Sequence, residues 1–291
     1  MTRFRADLTL LACAAIWGVA FLCQKRAMAH IGPFLFIALR SWLACLTLSP
    51  LVWRECRVAG SKVKMPAMLS LAGYAGLVFF GAAALQQMGL MTASVTNSGF
   101  LTALYVVLTP IFSWLLMGHR PAPWVWIAAS LSFVGTWLLG GGSLTLLAHG
   151  DVLVALSAIL WALHVVIVGL AARFDLAASF TATQFVVVAV LASLAALREP
   201  FEVEAILRAG PDILYLGILS SAITFTLLSV AMRATKPAEA SVILSTESLF
   251  AALAAFLFMK ESLPPIGWIG AAAIFLATVI VQLPDKAESR D

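Results

Sequence analysis

Ionisable groups are scarce inside the apolar runs of this chain, so those that occur there are the first candidates for chemistry. Glu247 lies near the middle of one run. A charge at that depth in a lipid-embedded helix costs about 2.5–3.5 kcal/mol on insertion scales, which makes it a functional candidate by default. It can carry a proton, face a bound ammonium, or fix helix packing as a hydrogen-bonded carboxyl. His164 follows Trp161 by three residues, so the two share a helix face. Its imidazole can contact a solute and respond to pH, or make an interhelical hydrogen bond. Arg40 lies about six residues, or about 9 Å, from one end of its run. It can hold a carboxylate, but that depth favours snorkelling toward the interface or pairing with a helix end.

Polar and aromatic residues add to this set. Asn97, Leu101 and Tyr105 recur at i, i+4 and i+8 and form one helical stripe, with Gln86, Ser98 and Phe100 nearby in sequence. Polar groups facing lipid are costly, so the stripe is expected to face protein or a wet cavity. Ser221, Thr224, Phe225 and Ser229 repeat the pattern later in the chain. Trp17 and Trp161 lie well inside their runs, where an interfacial belt does not explain them, and read as two cavity walls. The candidate solute-binding set is Trp17, Gln86, Asn97, Leu101, Tyr105, Trp161, His164, Thr224, Glu247 and Ser248. Gly73, Gly76 and Gly81 read as helix-packing positions rather than a nucleotide loop.

Other chemistries lack their residues. No G-x-x-x-x-G-K-[ST], H-E-x-x-H or G-x-S-x-G occurs, so no P-loop, zincin or hydrolase elbow is expected. Cys13, Cys23, Cys45 and Cys56 form no C-x-x-C and read as small hydrophobes, Cys56 in a basic loop. Neither a cofactor nor a metal is expected, and no catalytic residue is assigned.

What positions these groups follows from composition. The 291 residues are 62% hydrophobic and 11% charged, with a mean hydropathy of +1.02. Soluble domains run at about 45–50% apolar and about 25% charged, so the solvent here is lipid. The net charge of +4 is spread over alternate loops and is a topology signal, not a nucleic-acid patch. Arg3 and Arg5 before an apolar run resemble a signal peptide, yet Lys25 and Arg26 sit where a cleavage site needs small neutral residues. The run is expected to be the first membrane helix.

A span takes about 20 apolar residues. Cutting at charged and Pro/Gly-rich breaks gives ten: 8–28, 34–53, 67–88, 95–117, 123–142, 151–172, 179–197, 212–232, 239–259 and 266–283. Longer connections are expected only at 54–66 and 198–211. With the N terminus inside, 12 of the 18 Lys and Arg fall on the inner side, five on the outer side, and Arg40 within a span. The positive-inside rule then places both termini in the cytoplasm and the protein in the plasma (inner) membrane.

The two halves resemble each other. Trp17 and Trp161 are 144 positions apart, as are Arg40 and Gln184; Trp126 and Trp268 are 142 apart. A unit of five spans crosses an odd number of times, so its copy must be inverted. That is a secondary-transporter architecture with a midplane site between the halves. The expected domains are a first five-helix repeat at 1–142, a second at 150–285, and a short tail at 286–291.

Several of these segments carry a family resemblance: Trp17-Gly18 with Phe21, Ala38-Leu39-Arg40, Gly150-Asp151 with Leu153, Ser157-Ala158, Trp161-Ala162 and Glu247–Ala252. On them, over nearly the whole chain, the sequence resembles the EamA-type members of the drug/metabolite transporter superfamily, most of all the YddG-type amino-acid exporters. It departs from the family pattern at Ser248 (commonly Pro), Lys260 (commonly Gly) and His119 (commonly Glu). Loss of the proline puts a hinge in the ninth span in question. The resemblance implies an all-α membrane protein of ten helices in two inverted repeats. It also implies export of small metabolites, aromatic or large neutral amino acids among them, by alternating access. Its partners would be the bilayer and a small solute, with no nucleic acid. Rival readings are a carrier of another metabolite, drug or lipid-linked solute in the superfamily, a scaffold, and an intramembrane enzyme. The last would need clustered acids, where Glu247 stands almost alone.

Overall fold

The computed structural model describes residues 1–59, 65–93, 95–118, 120–142, 149–260 and 263–282, with the side chains of 59, 95–97 and 259 excepted. His119, Glu261 and the tail at 286–291 lie outside the described residues, as does the Asn97 side chain.

Helices begin and end where local chemistry dictates. α1 (Arg3–Ala27) starts at Thr2, whose hydroxyl accepts from the Arg5 N–H. α2 (Pro33–Ala59) starts on a proline and carries a second, Pro50, in its interior. Pro50 cannot bond to the Leu46 carbonyl, and the Ser49 hydroxyl takes that acceptor at 2.8 Å. α3 (Met65–Leu90) follows, then α4 (Val95–Thr102) and α5 (Tyr105–Met117), which stops at the left-handed Gly118. α6 (Pro123–Leu139), α7 (His149–Ala171) and α8 (Ala177–Ala196) are continuous. α9 (Val203–Leu214), a π-helical stretch at Tyr215–Ile223 and α10 (Thr224–Ala231) make one long rod. α11 (Pro237–Leu244) and α12 (Glu247–Ala254) are separated by a short break, and α13 (Pro265–Ile280) closes the chain.

Among the described residues, eight helices are long and apolar enough to cross a membrane, and α6 and α13 are shorter apolar helices. Leu46, Leu115, Trp268 and Phe275 are each about two-thirds exposed, on helices that offer no polar face to water. So much exposed apolar surface fits lipid and not solution. The protein is an integral membrane protein.

Three expectations need correction. The segment 198–211 is not a loop over its length, because α9 begins at Val203. Glu204 and Arg208 lie on this amphipathic helix, whose buried Asp212 pairs with Arg26 at 2.9 Å. The runs 95–117 and 239–259 are each two helices, broken at 103–104 and at 245–246. The second break forms without a proline: Ser245, Thr246 and Ser248 bond back to the carbonyls of Val242, Ile243 and Ser245 at 2.6–2.7 Å. A Cβ at Gly73 would meet nothing within 4 Å among the described residues, whereas one at Gly76 would lie 2.7 Å from Val187 Cβ and one at Gly81 2.9 Å from Leu160 Cδ1.

Packing follows a paired pattern. α2 lies on α8 and α6 on α13; α1 lies on α12 as α7 lies on α4 and α5. Two carboxylates tie α2 to α8. Glu199 accepts from the Phe34 and Leu35 N–H groups at 3.0 and 2.7 Å, and Glu55 from those of Ala178 and Ser179 at 3.0 and 2.8 Å. Each satisfies the orphan amides at the start of the other helix and complements its dipole. A carboxylate near the end of each helix reaches the start of its partner, so the two run antiparallel. All three pairs, Glu55/Glu199, Phe34/Ala178 and Leu35/Ser179, are separated by 144 positions.

Candidate functional site

A narrow cavity of about 80 Å³ lies at the centre of the bundle. α1 offers it Trp17, Phe21 and Gln24, spaced i, i+4 and i+7 along one face. Arg40 enters from α2, Gln86 from α3, Thr102 from α4 and Tyr105 from the first turn of α5. Trp161 and His164 come from α7, Ser220 and Phe225 from the rod, and Leu244 and Glu247 from the two sides of the α11–α12 break.

The wall around Phe79 is aromatic. This ring is fully buried and lies 5.0 Å from Trp161, 5.4 Å from His164, 5.1 Å from Phe185 and 5.0 Å from Phe225, centroid to centroid. Phe225 in turn lies 5.0 Å from Trp17, so one run of rings links the two tryptophans. Edge-to-face contacts of this kind are worth about 0.5–1.5 kcal/mol each beyond burial, which stiffens the wall.

The polar groups are few and differently satisfied. Trp17 donates through Nε1 to the Ser220 carbonyl at 3.0 Å, in the π-helical stretch where backbone acceptors are displaced. His164 Nε2 donates to Gln184 Oε1 at 2.8 Å, with both residues buried. Gln86 donates to the Thr102 hydroxyl at 3.0 Å, and Gln24 pairs with Gln87. The Tyr105 hydroxyl interacts with the half-buried Glu247 carboxyl. Of the groups lining the cavity, two donors have no hydrogen-bond partner among the described residues: Arg40 Nε and Trp161 Nε1.

Six of the ten residues in the candidate solute-binding set therefore meet at one cavity: Trp17, Gln86, Tyr105, Trp161, His164 and Glu247. Leu101 does not; it is buried against Ala93 and Val154. The expected stripe assumed an unbroken helix, and the turn at 103–104 shifts the phase so that Thr102 takes its place beside Tyr105. Thr224 is fully buried, its hydroxyl bonded to the Leu219 carbonyl five residues back, because the wider π turn rotates Ser220 and Phe225 onto the cavity. Ser248 points toward α6, 3.4 Å from the Thr136 hydroxyl. Arg40 does not snorkel: it is only 5% exposed and lines the cavity. Gln24, Thr102 and Ser220 were not singled out. The signal for Gln24 was its spacing from Trp17 and Phe21; that for Thr102 and Ser220 was hidden by the helix irregularities.

A bundle of apolar helices around an aromatic and sparsely polar cavity, with walls drawn from both halves of the chain, is the build of a membrane protein that binds a small solute. The chain matches the EamA-like transporter family twice, over residues 4–141 and 148–283, and belongs to that family, within the drug/metabolite transporters. An uncharacterised transporter of Archaeoglobus fulgidus is 29% identical over 281 residues, covering 97% of this chain and 87% of its own length. The uncharacterised transporter YwfM of Bacillus subtilis is 26% identical, covering 97% and 95%. A solved crystal structure at 20% identity shares the fold with a TM-score of 0.80 over 97% of both chains. This protein is a transporter, and its solute is small enough for a cavity between helices.

Proposed function

We propose that the protein exports a small amphiphilic metabolite, an aromatic or large neutral amino acid, by alternating access. The observation that carries this reading is the pairing, in one cavity, of the Glu247 carboxyl with the walls of Trp17, Trp161 and Phe225. An ammonium has an acidic partner there, and an apolar side chain has rings to lie against. Among the described residues, Arg40 is the one Lys or Arg that lines the cavity, which disfavours polyphosphate and nucleotide-sugar cargo.

In the same reading, ten spans form two inverted repeats, at 1–142 and 150–285, in the plasma membrane with both termini cytoplasmic. Support comes from the antiparallel course of α2 and α8, from the two matches to one family, and from the breaks at 103–104 and 245–246. Discontinuous helices beside a midplane site are a recurring feature of transporters with inverted repeats.

The test is uptake by proteoliposomes of labelled tryptophan, phenylalanine, threonine and a neutral sugar, with and without a pH gradient. The expected result is uptake of the two aromatic amino acids above empty vesicles and none of the sugar. Amino-acid uptake equal to that of empty vesicles would remove the amino-acid assignment.

A further inference from the structure

Arg40 stands out among the described residues as a buried charge with no counter-ion. Its side chain is buried, it makes no ion pair among the described residues, and its Nε has no hydrogen-bond partner. The guanidinium instead lies over two rings, 5.4 Å from the centroid of Phe36 and 5.8 Å from that of Phe79. Cation–π contact offsets part of the desolvation cost of a buried charge, but it leaves the N–H groups without acceptors. Removing a guanidinium from water is tolerated when an anion completes it. Glu247 lines the same cavity yet forms no ion pair with Arg40. Trp161, whose indole N–H is the cavity's second donor without a partner, packs its ring 5.0 Å from the same Phe79 ring and lines the same cavity.

We infer that Arg40 and the Trp161 N–H form a carboxylate subsite, so that the transported solute brings an anionic group as well as an ammonium. The inference rests on the proposed function, which assigns only the ammonium and the apolar part. Two donors with no acceptor of their own, on residues that both contact the Phe79 ring and line one cavity, suit the two oxygens of a carboxylate. With the carboxylate on Arg40 and the ammonium on Glu247, a zwitterion fills the cavity without adding net charge to it. A zwitterion that engages both subsites should bind more tightly than an amine that engages one or a neutral sugar that engages neither.

Three indole ligands separate the subsites in isothermal titration of the full-length protein: tryptophan, indole-3-propionate (carboxylate only) and tryptamine (ammonium only). One charge-assisted hydrogen-bonded contact is worth about 1.5–3 kcal/mol, so Arg40→Gln should weaken tryptophan and indole-3-propionate by about tenfold or more and leave tryptamine unchanged. Trp161→Phe keeps the ring and removes the N–H; it should weaken the same two ligands by a few-fold. Arg40→Lys should fall between wild type and Arg40→Gln, and serves if Arg40→Gln does not fold. Equal loss of all three ligands in the Arg40 variants would show a structural role and overturn the inference. So would binding of tryptamine but not indole-3-propionate by the wild type, an outcome that spares the ammonium reading. Arg40-dependent binding of indole-3-propionate, with tryptamine inert, keeps the carboxylate subsite and removes Glu247 from the proposed function. Failure of all three to bind the wild type overturns both.

Discussion

Glu247 and His164 show how a buried polar group can be either available or spent. Glu247 is half-buried at the start of α12, with Tyr105 as its polar neighbour and the cavity in front of it. Glu247→Gln should cut uptake of an ammonium-bearing solute by at least about tenfold, the loss expected for one charge-assisted contact. Tyr105→Phe should do less, because it leaves the charge in place. Proteoliposome uptake rates measure both, and an unchanged rate in Glu247→Gln would remove the residue from the site. His164 is already spent on Gln184. His164→Ala strands a buried amide, and should cost about 1–3 kcal/mol of stability. A lowered melting temperature in detergent is the expected result. In the double variant with Gln184→Ala the loss should be smaller than the sum, since the two share one bond. Type and depth in the apolar run were legible for all three residues. Their state of satisfaction was not, because Gln184 and Tyr105 become partners only through packing. Arg40 misled for the same reason: sequence gives depth from the span end, and not which face Phe36 and Phe79 occupy.

At the scale of elements, the two carboxylates between α2 and α8 make the firmest prediction. Glu55 and Glu199 lie about 30 Å apart along the helix pair at 1.5 Å per residue. Glu55→Gln and Glu199→Gln should each lower stability by about 1–2 kcal/mol, as loss of a charged helix cap does, and the double variant by close to the sum. Thermal melts of the three variants check this, and strong non-additivity would mean the two ends communicate. A close approach supports the cavity on the other side: a Cβ at Gly18 would lie 2.6 Å from Phe250 Cβ and 2.7 Å from the Glu247 carbonyl. Gly18→Val should therefore push α1 from α12, cost about 1–3 kcal/mol by overpacking, and reduce transport. The elements themselves were readable from apolar run length, since every expected span has a helix over most of its extent. The breaks and the π turn were not. They arise from hydroxyl back-bonding and register, which hydropathy does not encode, and they decided which residue of each stripe reached the cavity. The Glu55/Glu199 pair was present in the sequence at the 144-residue offset already given by Trp17 and Trp161, but a charged residue at a span end reads first as solvated.

For the whole molecule, the paired packing of the two halves and the two family matches bear on how the site is exposed. Orientation is testable at one native residue. Cys56 is exposed near the end of α2, beside Arg54 and Arg57, whereas Cys13 and Cys23 are buried. A membrane-impermeant maleimide should label Cys56 in inside-out vesicles and not in intact cells, with Cys56→Ser as control. Labelling in intact cells would reverse the assigned topology. The central claim is that a zwitterionic solute crosses by alternate exposure of the cavity lined by Arg40 and Glu247, and counterflow tests it most directly. Proteoliposomes loaded with unlabelled phenylalanine and diluted into labelled phenylalanine should accumulate label above its equilibrium level for a time and then lose it. The overshoot should be abolished by Glu247→Gln and by Arg40→Gln. Entry of label that rises monotonically to equilibrium in the wild type, or no entry above empty vesicles, would contradict the account.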